Sequence, residues 1–167
     1  MAAEALPTTP DDLFKLVQRL GIAYSLHHHP PIFTVADGEH LKAAIPGVHC
    51  RNLFLRDKKE NHFLVVAGND TKVDLKTLEG LLGCARLSFG SPERLWKVLG
   101  IRPGSVCPFT LINDPDHVVH VVLDKSMMEA EIVNYHPMDN AMTIGLTPDD
   151  LLKFIAHTGH SHRTVAF

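Results

Sequence analysis

The sequence predicts one α+β domain over residues 1–167, in which flanking helices cover a mixed, largely antiparallel β-sheet. Strand-like runs follow one another as adjacent hairpins, whereas a parallel sheet would need strict β-α-β alternation. The segments between the hairpins carry helix signals, with Thr, Ser or Asp at the start and Gly at the end. The chain of 167 residues is 45% hydrophobic, which suits a single core of this size.

The first third of the chain is expected to contain two helices and one strand. The segment TTPDDLFKLVQRLG predicts a helix that Thr9 caps, that a proline and two aspartates open, and that Gly21 ends. A strand over residues 23–28 follows and is stopped by two prolines. Residues 35–44 are expected to form a short second helix.

The middle of the chain carries the clearest hairpin signal. Residues 50–57 and 62–68 are apolar, strand-like runs separated by the polar sequence KKEN. A helix is predicted over residues 74–82, with an aspartate cap and a glycine after its end. The strand ARLSF at residues 85–89 leads to a further helix over residues 91–100, which the sequence SPE opens and a glycine closes.

The last third of the chain is expected to complete the sheet. Residues 108–114 predict a strand, and residues 118–124 predict its antiparallel neighbour across an Asp-Pro-Asp turn. Two short strands and a helix account for the next segment, over residues 132–134, 141–146 and 147–159. His157, His160 and His162 lie in a terminal segment that is expected to be flexible.

Composition and spacing exclude several function classes. No apolar run reaches the roughly 18–20 residues that cross a bilayer, and the acidic N-terminus lacks a secretion signal, so a cytosolic protein is expected. Three cysteines without C-x-x-C spacing argue against disulfides and a structural zinc site. The triplet His27-His28-His29 would alternate faces in a strand and would not converge on one ion. No metal and no cofactor are therefore expected.

The usual nucleophile and nucleotide motifs are also missing. The chain contains no G-x-S-x-G elbow, no P-loop and no dinucleotide fingerprint. Ser91 is explained as a helix cap by its SPE context. Cys50 and Cys107 are interpreted as structural, because thiols commonly fill cores.

Three segments carry candidate chemistry, and each has a structural alternative. Arg51 heads an apolar strand face with Leu53 and Leu55, and it needs an anionic or carbonyl partner or a route to solvent. The loop at residues 100–105 has glycines that admit a ligand close to backbone N–H groups, or it is only a helix stop and a turn. The turn at residues 134–137 combines amide, phenol and imidazole groups, which serve recognition or internal hydrogen bonding.

Positive charge is concentrated in the middle of the chain. Residues 51–102 contain ten Lys or Arg and six Asp or Glu, a net charge of +4, whereas the remainder carries −7. Such a basic region permits contact with a polyanion, although solvated helix faces and turns explain it equally well.

Seven segments of the chain, taken in order, carry a resemblance to a known family. They are HHPPIFTV, KAAIPGVHCRNLFLRDKK, VDLKTLEGLLG, RLSFGSPERL, LGIRPGSVCPFTLIND, VVLDKSM and VNYHPMDNAMTIGL, and they span residues 10–156 with the helices around them. This ordered set resembles the YbaK/ProX family of free-standing prolyl-tRNA synthetase-type editing domains, in its prolyl-tRNA deacylase branch. The ordered set is more specific than any single segment.

The resemblance implies a fold, an activity and a mechanism. Family members have a mixed sheet with flanking helices and hydrolyse the ester that joins a wrong amino acid to the 3′-terminal ribose of tRNA, chiefly alanine on proline tRNA. Water attacks the carbonyl without a metal or a protein nucleophile, helped by loop N–H groups and the vicinal ribose hydroxyl. The implied partners are aminoacyl-tRNA, in particular proline tRNA, and prolyl-tRNA synthetase, with no membrane and no DNA.

The resemblance also assigns site residues by position. The catalytic residues expected from this position match are Arg51, Asn52, Gly100, Gly104, Ser105 and His136, and it also covers Pro103. A pocket wall of Phe33, Ile45, Pro46 and Pro103 is a separate hypothesis, in which a small pocket rejects proline by overlap. The positive charge of residues 51–102 suggests tRNA contacts at Lys58, Lys59, Arg86, Arg94 and Arg102, with Arg86 preferred because it lies beside the matching RLSFG segment. Relatives usually have lysine where this chain has Arg51, which keeps the charge but does not exchange a proton near neutral pH.

Two alternatives stay open, the first of them because of the arginine at position 51. The chain could be a catalytically weak module that binds tRNA or a synthetase, in which case it would bind without turnover. It could also be a deacylase for cysteine or another small amino acid on tRNA, which a panel of charged tRNAs would show.

Overall fold

The computed structural model describes residues 5–32 and 35–167. Within this part of the chain no helix is long and apolar enough to span a membrane. The helices are α1 Pro10–Arg19, α2 Val35–Ala44, α3 Leu75–Leu82, α4 Pro92–Leu99, the 3₁₀ helix η1 Pro108–Asn113, α5 Lys125–Met128 and α6 Pro148–His157. The strands are β1 Ser25–His28, β2 Val48–Asp57, β3 His62–Gly68, β4 Leu87–Phe89, β5 Val119–Asp124, β6 Val133–Tyr135, β7 Met142–Leu146 and β8 His162–Val165.

The strands form one mixed sheet. Its order is β1-β7-β6-β2-β3-β5-β8, and β4 pairs with β2 off this path. The antiparallel pairs are β1–β7, β6–β7, β2–β3 and β2–β4. The parallel pairs are β2–β6, β3–β5 and β5–β8. The predicted α+β class with a mixed, mostly antiparallel sheet is therefore confirmed.

Side chains alternate between the two faces of the sheet, and each face is covered by helices. On β3, Leu64 and Val66 enter the larger core together with apolar residues of α1, α4 and α6. Phe63 and Val65 point to the other face, where they join a smaller core with Leu78 of α3. The sheet is consequently the middle layer of the fold, and its central strands are apolar on both sides.

The predicted caps define where helices begin and end. Thr9 Oγ1 accepts the Asp12 N–H at 3.1 Å and the Asp12 carboxylate accepts the Thr9 N–H at 3.0 Å, which completes a capping box on α1. Ser91 Oγ accepts the Arg94 N–H at 3.1 Å at the start of α4. Gly100 ends α4 with a left-handed backbone, φ +59°. Both helices are confirmed as predicted.

The prediction of a strand at residues 108–114 is wrong. Pro108–Asn113 form η1, in which the Thr110 hydroxyl donates to the Cys107 carbonyl at 2.6 Å. The segment is apolar because it is buried against α4 and α6, with the Phe109 ring centroid 5.0 Å from that of Phe154. A short buried apolar run does not by its pattern distinguish a helix from a strand.

The predicted partner of β5 is wrong as well, and the end of the chain lies in the sheet. β5 pairs in parallel with β3 and β8. Asp114 accepts the Val118 and Val119 N–H groups in the turn before β5. The C-terminal segment, expected to be flexible, forms β8, and its buried His160 has Nε2 2.8 Å from Asp114 Oδ2.

Candidate functional site

The candidate site lies where β2 changes its partners. On one edge, the first two residues of β2 pair with β6, and Leu55–Asp57 pair with β4. On the other edge, Cys50–Arg56 pair with β3. The part of β2 between its β6 and β4 partners, which includes Asn52, therefore faces no strand on that edge within the described chain. This gap leaves room for a cavity beside the sheet.

A cavity of about 760 Å³ opens at this point, within the range typical of small-molecule sites. Its wall is formed by α2, β2, the loop between β3 and α3, the loop after α4 and the end of β6. Four of the six residues predicted as catalytic line it, namely Arg51, Asn52, Gly104 and His136. The tertiary structure thus brings together three segments that are more than thirty residues apart in sequence.

The Arg51 guanidinium is held by backbone carbonyl groups of the loop after β3. Its Nη1 donates to the Gly68 and Asn69 carbonyl oxygens at 2.9 and 3.0 Å, and its Nη2 donates to the Thr71 carbonyl at 2.5 Å. The partner that an arginine on an apolar face requires is therefore a set of carbonyls rather than an anion. The planar guanidinium fork suits several acceptors at fixed angles better than a lysine ammonium does.

The same loop is fixed from its other side by the buried carboxylate of Asp124, which is 1% exposed. Asp124 Oδ2 accepts the Gly68 N–H at 3.1 Å and the Thr71 hydroxyl at 2.5 Å. Its Oδ1 accepts the Ser126 N–H and hydroxyl at 3.1 and 2.9 Å. Arg51 and Asp124 together hold the backbone of this loop, so this side of the cavity is rigid.

His136 presents an imidazole to the cavity. Its Nδ1 donates to the Met142 carbonyl at 2.8 Å, which leaves Nε2 as the acceptor of the neutral ring. Burial lowers the pKa of His136; the bond to Met142 opposes this, and the nearby His29 and His49 lower the pKa further. The neutral form therefore prevails at pH 7, and its Nε2 can accept a proton.

Two amides of the cavity wall have buried oxygens without a donor. No partner exists among the described residues for Asn52 Oδ1 or for Asn134 Oδ1. Asn134 Nδ2 donates to the Pro46 and Val48 carbonyl oxygens at 3.1 and 3.4 Å, which fixes the orientation of its amide. Because unsatisfied buried acceptors are rare in folded proteins, their presence here distinguishes this wall from the rest of the core.

The glycine-rich loop after α4 brings one of its three predicted residues to the cavity. The Gly100 N–H donates to the Trp96 carbonyl at 3.0 Å, and the Ser105 N–H donates to the Arg102 carbonyl at 3.3 Å. Neither residue lines the cavity, so the catalytic roles predicted for Gly100 and Ser105 do not match their positions. Gly104 does line it, and its N–H donates to no other group of the described chain.

The thiols are poor nucleophiles in this fold. Burial raises the pKa of the Cys50 thiol, in the cavity wall, to about 12, and it raises the pKa of the buried Cys107 thiol to about 12 as well. Both are therefore protonated at neutral pH, as expected for structural cysteines. Residues 5–32 and 35–167 contain no cluster of three or more His, Cys, Asp or Glu that could hold a metal ion.

The observed apolar wall differs from the predicted one. Ile45 is buried, Pro46 and Pro103 are exposed, and none of the three lines the cavity. Phe33 lies outside the described residues. The apolar side chains that line the cavity are those of Ile32, Leu41 and Val106. Sequence reasoning missed Leu41. The helix α2 has little amphipathic character, so its pattern does not show which of its faces is turned inward.

Three of the predicted tRNA contacts lie far from the cavity. Lys58 and Lys59 are exposed in the turn between β2 and β3, and the exposed Arg86 lies beside them because its carbonyl accepts the Lys58 N–H at 3.1 Å. Lys58 follows Arg51 by seven residues of extended chain, a distance of about 23 Å. These cations therefore do not contact a group bound in the cavity.

The other two predicted tRNA contacts are engaged with neighbouring side chains. Arg94 forms an ion pair with Glu60, and its Nη1 also lies 3.1 Å from His62 Nε2. The Arg102 guanidinium lies over the Trp96 ring, 4.3 Å from its centroid. Their positive charge is thus partly used within the protein.

The cavity wall contains two lysines that sequence reasoning missed. Lys42 of α2 forms an ion pair with Asp70, at 3.2 Å between Nζ and Oδ1. Lys72 lies in the loop after β3 and is exposed. Nothing in the local sequence separates these lysines from other surface lysines, because only the closure of α2 over the sheet brings them to one wall.

Comparisons with known proteins identify the family of this chain. A family model described as the aminoacyl-tRNA editing domain matches residues 29–154. The chain is 39% identical over 150 residues to the prolyl-tRNA editing protein ProX of Acetoanaerobium sticklandii, with 89% of the chain and 92% of that protein covered. It is 38% identical over 158 residues to prolyl-tRNA synthetase associated domain-containing protein 1 of Mus musculus, with 87% and 90% covered.

Solved structures share the fold. A crystal structure described as a candidate trans-editing enzyme for prolyl tRNA synthetase matches with a TM-score of 0.71 at 19% identity, over 98% of this chain and 99% of that one. The crystal structure of a hypothetical protein matches with a TM-score of 0.71 at 18% identity, over 92% and 97%. At this level of identity the similarity concerns the fold alone.

Proposed function

Because the chain belongs to the family of aminoacyl-tRNA editing domains, we propose that it removes alanine from mischarged proline tRNA in trans. As a member of this family it is an aminoacyl-tRNA deacylase, a hydrolase that serves translation fidelity. The observation that carries the specific proposal is the cavity in which Gly104, His136 and the loop held by Arg51 meet. An aminoacyl ester is already activated, so positioning and charge stabilisation suffice to hydrolyse it.

In this proposal the Gly104 N–H stabilises the oxyanion. Among the three candidate donors of the loop, Gly100 and Ser105 already donate to carbonyls, whereas Gly104 has no partner in the described chain. A Cβ at Gly104 would meet nothing within 4 Å, so its backbone lies open to a ligand. One such donor contributes about 3 kcal/mol to transition-state stabilisation in other hydrolases.

His136 is proposed to handle the proton. Water attacks the ester carbonyl while His136 Nε2, whose ring is oriented by the Met142 carbonyl, accepts one proton from it. The bond between the acyl carbon and the ribose oxygen then breaks, and the proton passes to that oxygen. The vicinal ribose hydroxyl assists the departure of the ribose, and the products are free alanine and uncharged tRNA.

Selection for a small amino acid is proposed to come from the apolar wall. Ile32, Leu41 and Val106 line the cavity, and in this proposal they limit the space beside the acyl carbon. A pocket excludes a larger side chain by overlap, whereas a preference for each additional methylene contributes only about 1–3 kcal/mol. Alanine would therefore fit where the proline ring does not.

Proline tRNA and prolyl-tRNA synthetase are the proposed partners. Both relatives carry prolyl-tRNA or its synthetase in their names, and the chain covers nearly their whole length. We place the activity in the cytoplasm, where charged tRNA is used.

A deacylation panel tests the function. Alanyl-, cysteinyl-, seryl- and prolyl-tRNA are incubated with the protein, with and without a metal chelator. We expect alanyl-tRNA to be discharged fastest, prolyl-tRNA to remain intact, and the chelator to leave the rate unchanged. Faster loss of cysteine or serine would assign another substrate, and tRNA binding without turnover would replace the enzyme by a binding module.

A further inference from the structure

The cavity wall of the described chain contains three cations, and they differ in what they bind. The Arg51 guanidinium donates to three backbone carbonyls. The Lys42 ammonium is paired with Asp70 at 3.2 Å. Among the described residues the Lys72 ammonium forms no ion pair within 4 Å and no hydrogen bond, and it interacts with the Asp74 carboxylate only electrostatically, beyond ion-pair distance. Lys72 is thus the cavity cation that no direct contact holds, and its ammonium is free to move toward a ligand.

Lys72 is also attached to the most firmly held part of the wall. It follows Thr71, whose carbonyl accepts from Arg51 at 2.5 Å and whose hydroxyl donates to Asp124 at 2.5 Å. The Thr71 N–H donates to the Gly68 carbonyl at 3.0 Å, which closes the turn. Every polar group of Thr71 is therefore fixed, and the backbone that carries Lys72 cannot shift without breaking these bonds.

The chemistry of the substrate supplies the matching charge. If the aminoacyl ester lies in the cavity, the terminal ribose and its 5′-phosphate lie at the cavity mouth, where Lys72 is exposed. A lysine ammonium on a flexible stem binds phosphate as a point charge. The lysines of the β2–β3 turn, about 23 Å from the site, do not reach that phosphate.

We propose that Lys72 binds a backbone phosphate of the single-stranded 3′ end of tRNA at the cavity mouth, and that Arg51 is the positioning residue that holds Lys72 there through the Thr71 carbonyl. This inference rests on the proposed function, because the ester in the cavity determines which phosphate is near. It divides between two residues the two tasks of an active-site cation: Arg51 orders the wall, and Lys72 contacts the anion.

The test compares Lys72→Gln with Lys76→Gln. Lys76 is another exposed lysine, on α3, that does not line the cavity, so it serves as the control. kcat/KM for alanyl-tRNA is measured against salt concentration, together with hydrolysis of the alanyl ester of adenosine, which has no phosphate. The salt dependence of binding to uncharged tRNA is measured in parallel.

We expect Lys72→Gln to lower kcat/KM for alanyl-tRNA about tenfold at low salt, through KM rather than kcat. The slope of log affinity against log salt should shrink by about 0.7, the value for one phosphate contact on a single strand. Lys76→Gln should leave both quantities unchanged. The phosphate-free ester should be cleaved equally fast by the wild type and by both variants.

An unchanged salt slope in Lys72→Gln, or an equal loss in Lys76→Gln, would overturn the assignment. Slower cleavage of the phosphate-free ester would also overturn it, because Lys72 would then act on the reacting group. If the wild type cleaves no ester at all, the proposed function fails instead. The slope of log affinity for uncharged tRNA against log salt then still shows whether Lys72 contacts a phosphate. Arg51→Lys should reduce this slope by a similar amount, since the ammonium does not hold three carbonyls at once.

Discussion

The two ends of the β2–β3 hairpin are both rich in basic residues, but they use their charge differently. At the cavity end, the Arg51 guanidinium donates to three backbone carbonyls of the loop after β3, and Lys72 belongs to the same loop. At the turn end, Lys58 and Lys59 point to solvent beside Arg86. Side-chain charge at the first end is thus part of a rigid site, whereas at the second it remains a general attraction for a polyanion.

This difference shows why a count of charges does not locate a binding site. Both ends belong to the stretch with a net charge of +4. Only at the cavity end do hydrogen bonds, burial and a concave surface coincide. Substitutions at the cavity end should therefore have large effects on catalysis, and substitutions at the turn end should have small effects on tRNA binding.

The largest effect is expected from His136→Gln, which should lower kcat for alanyl-tRNA about 300-fold, within the range for loss of a general base. Since burial lowers the pKa of His136, the wild-type rate should rise with pH through a pKa below the usual 6.5 and then level off. The variant should lack this limb in a pH–rate profile. A variant with the wild-type profile would remove His136 from the mechanism, and the exposed His157→Gln serves as the control.

The same histidine should make the folded state sensitive to acid. Its lowered pKa means that below pH 6.5 the unfolded chain binds this proton more readily than the folded chain does. Stability should therefore decrease as the pH falls, and by less in His136→Gln. Urea unfolding at pH 7 and pH 5 measures the difference.

Arg51→Met sharpens the comparison between the hairpin ends. Loss of the three carbonyl contacts should displace the loop and lower kcat/KM about 100-fold, the cost of a misplacement near 1 Å. Arg163→Met is the matched control, because Arg163 also donates to two carbonyls, of Leu81 and Leu82 at 3.1 and 3.2 Å, but lies on β8 away from the cavity. It should lower the melting temperature without lowering kcat/KM. Equal loss of activity in both variants would indicate general destabilisation.

Leu41→Ala tests the apolar wall. Removing this side chain should admit the proline ring and raise hydrolysis of prolyl-tRNA about tenfold, with little change for alanyl-tRNA. Ile45→Ala shortens a buried side chain that does not line the cavity, so it should cost about 2–5 kcal/mol of stability without altering this selectivity. Competition between the two charged tRNAs gives the ratio directly, and an unchanged ratio in Leu41→Ala would contradict exclusion by size.

The smallest effect is expected at the turn end. Replacing Lys58, Lys59 and Arg86 together by Gln should weaken tRNA binding about threefold at low salt and leave kcat unchanged, because exposed charges are screened. Binding assays at two salt concentrations measure this. A loss larger than that of Lys72→Gln would reverse the comparison and make the turn end the principal tRNA contact.

Much of the fold follows from local signals in the sequence. The cap of α1 at Thr9, the cap of α4 at Ser91 and the hairpin around KKEN occur where the pattern predicts them, because each depends on residues within one or two turns of chain. The strand predicted at residues 108–114 fails for the opposite reason. Its apolar residues are set by contact with α4 and α6, which the local pattern does not record.

The site divides in the same way. The motifs around Arg51, Gly104 and His136 are visible in the sequence, and all three residues line the cavity. Gly100 serves another purpose that the sequence does not show: its φ of +59° ends a helix, and an added Cβ would clash with Pro7. The sequence alone does not distinguish a glycine that admits a ligand from a glycine that ends a helix.

By itself the sequence determined the α+β class and most helices and strands, because these depend on short-range spacing and composition. It also determined the editing-domain family and the chemical types of the site residues, through the resemblance of seven ordered segments. Only the tertiary structure decided which cations are held in direct contacts, which residue of the glycine-rich loop lines the cavity and which side chains form its wall. Those properties depend on contacts between segments far apart in the chain. A guanidinium that binds three carbonyls and an ammonium that binds none differ through their neighbours in space, which residue order does not specify.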